Sequence, residues 1–387
     1  LSRFTKRKPE VYAAVDMGSH AIKGVVFAVP EPPETTPRVL KKIVYKFPQS
    51  LRMEKSGHRL HEFLFSLIKS LEKVPSKIII ALSPNVGEYT LVYWKAVQPK
   101  ITTAIELRKQ FQNLFEINRG QDKALIAYPL ELMINGYPVS RVLAGIPNGS
   151  RDWYKHLQGA EEVAFRTMLV HLPDEISADL KDTKESLGGM PIEFVPRLAV
   201  YKESIVGALK IPDLFLVEVG GEETTLALIK NKELVQFRSF PLGSRHFFRS
   251  IARRFDVSFE AAEDLKRQYG QELLGKAKSS QLREFLLKKV GEWERPFLEE
   301  LKAFYPSGPI PADVALTGEG ALMPEITAIV KSSGWLGEFS YAQVPKVRVL
   351  AAENVFTGDT LGGSLRESQE FALASLIFYS LHYNPMF

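Results

Sequence analysis

Cysteine is absent from the 387-residue chain. That removes disulfide frameworks, thiolate-ligated zinc, iron–sulfur clusters and cysteine nucleophiles together, and it fits a reducing compartment. Long apolar runs are missing too: the longest, Ala372 to Leu381, is about half the ~20 residues of a spanning helix and contains Ser375 and Ser380. An excess of charge of one sign is nearly missing too, since 50 Lys and Arg stand against 45 Asp and Glu, a net of +5. So small an excess, without dense basic clusters, gives no reason to expect a nucleic-acid partner. The seven histidines include Gly57-His-Arg-Leu-His61 but no glutamate-flanked zinc spacing, and they read as scattered surface residues. The basic opening LSRFTKRKPE runs into a strand pattern rather than an apolar signal core. A cytoplasmic protein, trimmed ahead of its first Leu, is the expectation.

What is present is ordinary for a globular chain: 45% hydrophobic and 25% charged residues, which excludes wholesale disorder. A single core stops growing at roughly 250–300 residues, so two lobes or more are expected. Val11 to Val29 reads as two short strands joined by Asp16-Met-Gly-Ser-His20, and Val39 to Phe47 as a third. Leu60 to Leu71 has helical spacing, and Lys77 to Leu82 is a buried strand. From Val86 to about Leu172 the pattern becomes that of a small α+β module. Its strands are Tyr89–Ala96, Lys123–Tyr128, Leu130–Ile134, Val142–Gly145 and Val163–Leu172, with a helix at Ile105–Phe115. A helix at Ser177–Leu187 follows. Leu214 to Ile229 repeats the opening strand–glycine turn–strand theme, with another strand at Glu233–Phe240. Phe247–Leu274 and Gln281–Phe304 are helical, with Ser258 as an N-cap, and Asp313–Leu316 is a strand ahead of a helix from about Met323.

Three glycine turns follow strands: Asp16-Met-Gly-Ser-His20, Glu218-Val-Gly-Gly-Glu-Glu-Thr-Thr225, and Thr317-Gly-Glu-Gly-Ala321. Glycine lets consecutive backbone N–H groups face a phosphate, and an acid at the strand end, Asp16 or Glu218, can hold Mg²⁺ through water.

The first turn fits Asp-x-Gly-Ser-x-x-x-Lys through Asp16, Gly18, Ser19 and Lys23, and so resembles the phosphate-one loop of the actin/Hsp70/sugar-kinase ATPase superfamily. The second resembles phosphate-two. The third, LTGEGALMPEI, resembles the adenosine loop. Between them, Pro241, Leu242 and Gly243, then Glu260, Ala262, Glu263, Leu265, Lys266, Tyr269 and Gly270, resemble a segment of the bacterial FtsA family. The inserted module sits where FtsA carries its 1C subdomain, a layout that PilM shares. The resemblance implies an α/β fold of two actin-like lobes with an interlobe nucleotide cleft and a 1C-like insertion. Its parts would be 1–84 (first lobe), 85–165 (1C-like), 166–206 (first lobe again), 207–240 (second lobe), 241–310 (subdomain 2B), 311–365 (second lobe again) and 366–387 (closing helix).

The same resemblance implies ATP with Mg²⁺ as ligands. Nucleotide contacts would come from Asp16, Gly18, Ser19, Lys23, Gly220, Gly221, Thr224, Gly243, Glu263, Lys266, Gly318, Gly320 and Ala321. Asp16 and Glu218 would hold the metal through water, and Glu218 is the one candidate for a catalytic role. Departures weaken hydrolysis: Glu218 replaces Asp, Glu222 a Gly, Glu223 a Thr, Thr225 the closing Asp, and Glu319 a Gly. A glutamate facing the γ-phosphate at 4 Å costs about 4 kcal/mol at an effective dielectric near 20, roughly three decades of affinity. Strand alternation sends Glu222 and Glu223 to opposite sides. Arg245, Arg249, Arg253 and Arg254 read as a solvated helix face, with a partner surface as the alternative.

The implied function is a filament-forming cell division protein with little ATPase activity, linking a ring of the tubulin-like FtsZ to the inner face of the membrane. The alternative is a PilM-like pilus assembly scaffold. FtsA-like chains end in a linker and an amphipathic membrane helix. The stretch His382 to Phe387 has neither pattern, so tethering is expected to be indirect or through a helix removed from this chain.

Overall fold

The computed structural model describes residues 10–30, 36–47, 56–69, 74–97, 104–119, 125–138, 160–187, 190–332, 341, 343–356, 361 and 363–382. The first two strands, β1 (Val11–Met17) and β2 (Ala21–Ala28), are runs of small and β-branched residues that pair antiparallel, with Asp16 opposite Lys23. Strand β3 (Arg38–Lys46) extends the pair antiparallel, and helix α1 (Ser56–Lys69) buries Leu60, Phe63, Leu64 and Leu67. Gly24 on β2 admits this helix, because a Cβ there would lie 2.7 Å from the Phe63 ring. Strand β4 (Lys77–Leu82) runs parallel to β1.

Residues 87–178 then form a separate compact unit. Strand β5 (Glu88–Val97), helix α2 (Ala104–Arg119), β6 (Leu125–Ile134), β7 (Tyr137–Pro138) and β8 (Glu162–His171) build an antiparallel sheet of order β5-β8-β6-β7. Leu107 and Phe111 of α2 pack on Trp94 and Phe165, so the apolar face of α2 covers the module's own sheet. Two of the expected strands are one: Pro129 lacks an N–H, and the strand absorbs it as a register shift between Pro129 and Glu131 rather than ending there. The strand expected at 142–145 lies outside the described residues. The expected module boundary at 165 falls inside β8, the strand that joins β5 to β6, and the unit closes at Ala178 instead.

Helix α3 (Asp174–Ser186) leads back to β9 (Ile192–Pro196), which lies parallel beside β4, and then to α4 (Arg197–Gly207). The second lobe repeats the plan with β10 (Leu214–Val219), β11 (Thr224–Lys230) and β12 (Glu233–Phe240). Helices α5 (Ser244–Phe255), α6 (Phe259–Gly270) and α7 (Lys276–Lys302) follow, then β13 (Asp313–Thr317), α8 (Pro324–Lys331), β14 (Lys346–Val349), α9 (Ala352–Val355) and α10 (Phe371–His382). The sheets β3-β2-β1-β4-β9 and β12-β11-β10-β13-β14 have the same order and the same pattern of antiparallel and parallel pairs. Both therefore end a central strand, β1 or β10, in a glycine turn.

The chain between α5 and α6 turns at Asp256, which takes a left-handed φ of 50°, and Ser258 Oγ caps α6 by accepting from the Ala261 N–H at 3.1 Å. Helix α7 lays Leu282, Leu286, Val290, Trp293, Phe297 and Leu301 along one stripe against the second sheet. Helix α10 is buried almost throughout and packs on α4 and β1. Among the described residues no helix is long and apolar enough to cross a membrane.

Candidate functional site

The turns after β1 and β10 face each other and touch. The Glu222 N–H donates to Ser19 Oγ at 3.2 Å, and a Cβ on Gly221 would stand 2.5 Å from that of His20. Asp16 and Glu218, at the two strand ends, are 4% and 3% exposed. Between them lies the guanidinium of Arg197, from the first turn of α4. Its Nη1 is 3.1 Å from Asp16 Oδ1, and its Nη2 lies 2.8 Å from Glu218 Oε1 and donates to Ser83 Oγ at 2.6 Å. Tyr201, one turn along α4, donates its hydroxyl to Glu218 Oε1 at 2.9 Å. Burial alone would depress the Arg197 pKa; Glu218 and Asp16 outweigh it and hold it well above its ordinary value. Burial pushes the Glu218 carboxyl up, with Arg197 and Tyr201 opposing.

The two adjacent glutamates part as strand alternation expects. Glu222 meets arginines: Arg249 donates to both of its oxygens, at 3.1 and 2.9 Å, and Arg245 Nε lies 3.0 Å away. The solvated face expected for Arg245 is thereby corrected. That side chain is 2% exposed because it reaches across to lobe one, donating to His20 Nδ1 at 3.1 Å and lying over the Phe259 ring. Glu223 lines the cleft, where burial raises its pKa to about 7 against the pull of Arg197.

What remains at the turns is a cavity of about 50 Å³, bordered by Asp16, Gly18, Ser19, Lys23, Glu218, Gly220, Gly221 and Gly318. Arg197 Nε, Glu218 Oε2 and Glu223 Oε1 border it too and have no hydrogen-bond partner, so it suits a few waters. A larger cavity of about 720 Å³ adjoins it, lined by Lys23, Lys46, Phe248, Glu263, Lys266 and Glu319 among others. Glu263 pairs with Lys46, and Lys23 donates to the Gln369 carbonyl at 2.7 Å. Burial depresses the Lys266 pKa against Glu319. Burial likewise raises Glu319, but His20, Ser244, Lys23 and Lys266 more than reverse it.

Four of the sequence-derived site residues stand apart from both cavities. Thr224 points to the opposite face of β11, donating to the Leu242 carbonyl at 2.7 Å and accepting from Trp293 Nε1 at 2.9 Å. Ala321 belongs to the second lobe's core. Gly243 and Gly320 act through backbone approach: a Cβ on Gly243 would be 2.4 Å from the Gly221 carbonyl oxygen, and one on Gly320 would be 2.1 Å from Val219 Cγ1.

Arg197, Tyr201, His20 and Arg245 were missed from sequence. The signal for Arg197 was a lone charge in an apolar run, Phe194 to Tyr201. His20 corrects the surface reading of the histidines. It is 9% exposed, and with Glu263 and Glu319 it brings three ligand atoms within 4.8 Å. Arg245 can only donate, so His20 Nδ1 accepts and the ring proton sits on Nε2. The one ring lone pair of that tautomer is already taken by Arg245, and the trio is not a metal site as it stands.

The residues do not fit magnesium and a triphosphate at the turns. Arg197 already bridges the two acids, and several of the turn amides are engaged. Gly220 N–H donates to the Glu223 carbonyl, while the first amides of α5, on Ser244 and Arg245, donate to Gly220 and Gly221. A helix start that would otherwise receive an anion is satisfied internally.

A family model described as "Cell division protein FtsA" matches residues 215–365. Among solved structures, a PilM–PilN type IV pilus biogenesis complex is similar over 97% of this chain and 99% of that one, with TM-score 0.61 and 18% identity. The ethanolamine utilization protein EutJ from Carboxydothermus hydrogenoformans is 12% identical over 96% of this chain and 90% of its own, with TM-score 0.49. MreB 5 of Spiroplasma citri bound to AMPPNP is 12% identical over 96% of each chain, with TM-score 0.46. No protein of curated function matches the sequence. With two sheets of one topology and facing glycine turns, the chain has an actin-like ATPase fold, and its residues 215–365 are similar to FtsA.

Proposed function

We propose that this protein is an assembly scaffold of the FtsA kind, an actin-fold subunit that self-associates and links a filament of an FtsZ-type tubulin homologue to the inner face of the cell membrane. The observation that carries the reading is the compact unit of residues 87–178, with a core of its own, inserted into an FtsA-like chain. Its helix α2 leaves Ile105 and Ile117 68% and 76% exposed, beside exposed Arg108, Lys109 and Gln112. Apolar positions interleaved with charge suit a partly polar protein contact. A contact between that face and a different surface of the next subunit is heterologous, so it propagates into a filament. On an anionic lipid monolayer, electron microscopy is expected to show filaments of the native chain that the Ile105→Asp/Ile117→Asp variant fails to form. Filaments undiminished in that variant rule the interface out.

The scaffold works with little or no ATP turnover. Phosphate release is expected to stay below about 1 per second, the low end for ordinary enzymes. Faster release would make the protein an ATPase and end this part of the reading.

A second reading is a PilM-like scaffold for pilus assembly, favoured by the likeness to the PilM–PilN complex over nearly the full length of both chains. Such a scaffold would bind a short peptide of a membrane protein. A native chain that stays monomeric at high concentration while binding such a peptide favours this reading over the first.

A further inference from the structure

Asp16 and Glu218 come from different lobes, and both are buried. Two carboxylates brought together out of water repel one another and are stable only with a cation between them. Arg197 supplies it in a form suited to the place. A guanidinium stays charged at any physiological pH, and its planar fork reaches three acceptors at once, here Asp16, Glu218 and Ser83. Further links cross the same gap. Arg245 of lobe two donates to His20 of lobe one, the Glu222 N–H donates to Ser19 Oγ, and Lys46 pairs with Glu263. The Gly18 and Gly220 N–H groups and the first amides of α5 already donate to carbonyls around the turns.

We propose that Arg197 is the resident cation of this cleft, standing in place of a metal–nucleotide pair, and that it holds the two lobes closed without any nucleotide. The protein then keeps the actin-like architecture but not the nucleotide-dependent opening and closing. This holds whichever partner reading is right.

Calorimetric titration of the native chain with ATP and with adenosine, each with and without Mg²⁺, tests the inference directly. No saturable binding up to about 1 mM, or binding that is Mg²⁺-independent and equal for ATP and adenosine, supports it, because neither engages the turns. Saturable binding of ATP that requires Mg²⁺ overturns it. Small-angle scattering is expected to give one radius of gyration with and without 5 mM Mg·ATP; compaction on adding nucleotide overturns the closed ground state.

The Arg197→Met variant leaves the two acids without their cation. Its melting temperature is expected to rise by several degrees with 10 mM Mg²⁺ or Mn²⁺, while that of the native chain does not. A folded variant as stable as the native chain and indifferent to divalent cations overturns the assignment. Should Arg197→Met not fold, the triple variant Asp16→Asn/Glu218→Gln/Arg197→Met separates charge from packing. Recovery of native circular dichroism in the triple variant supports charge compensation. A triple variant no better folded than the single one overturns it.

Discussion

Glu223 is the residue whose chemistry depends most on the closed cleft. Its carboxyl lines the cleft beside Arg197, yet burial outweighs that attraction and its pKa rises from 4.5 to about 7. The folded chain therefore binds a proton that the unfolded chain has released between about pH 4.5 and 7. Stability tied to this group is fully present below pH 4.5, is lost as pH rises toward 7, and is gone above it. Across that window the loss is on the order of 3 kcal/mol. Glu223→Gln is expected to remove the slope, gaining stability over the native chain at pH 8 and little at pH 5. Urea unfolding at both pH values reads this, and an equal effect at the two would place Glu223 in water. The glycines around it were legible in the sequence because close backbone approach leaves a residue-type signature, as at Gly221 and Gly243. Arg197 was not. Its meaning depends on Asp16, 181 residues away in sequence, and no local pattern carries that pairing.

At the scale of elements, most of what was read from periodicity is there, because each strand and helix buries one face. The strands Lys77–Leu82 and Glu233–Phe240 begin and end as the pattern predicts. Departures arise where a neighbour overrides a local rule. Pro129 reads as a strand break, but pairing with β8 on both sides of it carries β6 through as one strand with a register shift. Helix α5 reads as a cationic surface from its four arginines. The burial of Arg245 and the pairing of Arg249 come from a glutamate on a different element, Glu222, which the turn places at the helix's first turns. Charge on a helix is a solvated face only when nothing opposite needs it. Thr224 shows the same limit in reverse. The turn motif marks it as a ligand residue, but the alternation of β11 sends it to Trp293 and leaves Thr225, the substituted position, facing the cleft.

For the whole molecule, two kinds of cohesion should be separable by calorimetry. Residues 87–178 have an apolar core around Trp94, Phe111 and Phe165, whereas the second lobe's core is built on Phe215, Trp293 and Phe297. The two lobes fall within one compact unit and are joined by buried ion pairs through Arg197, where loss of one partner strands a charge at a cost of about 3–5 kcal/mol. Such coupling makes the lobes melt together, while a unit with its own core melts by itself. Two transitions are expected. Trp94→Ala, which empties a core site at a cost of about 3–5 kcal/mol, lowers only the transition of the smaller unit, and Trp293→Ala lowers only the other. If Trp293→Ala instead splits a lobe transition away from its sister lobe, the bridge between the lobes is weaker than the geometry implies. If both variants shift one shared transition, the chain unfolds as a single body. A clean division between the two would show that the inserted unit unfolds without disturbing the clamp that closes the lobes.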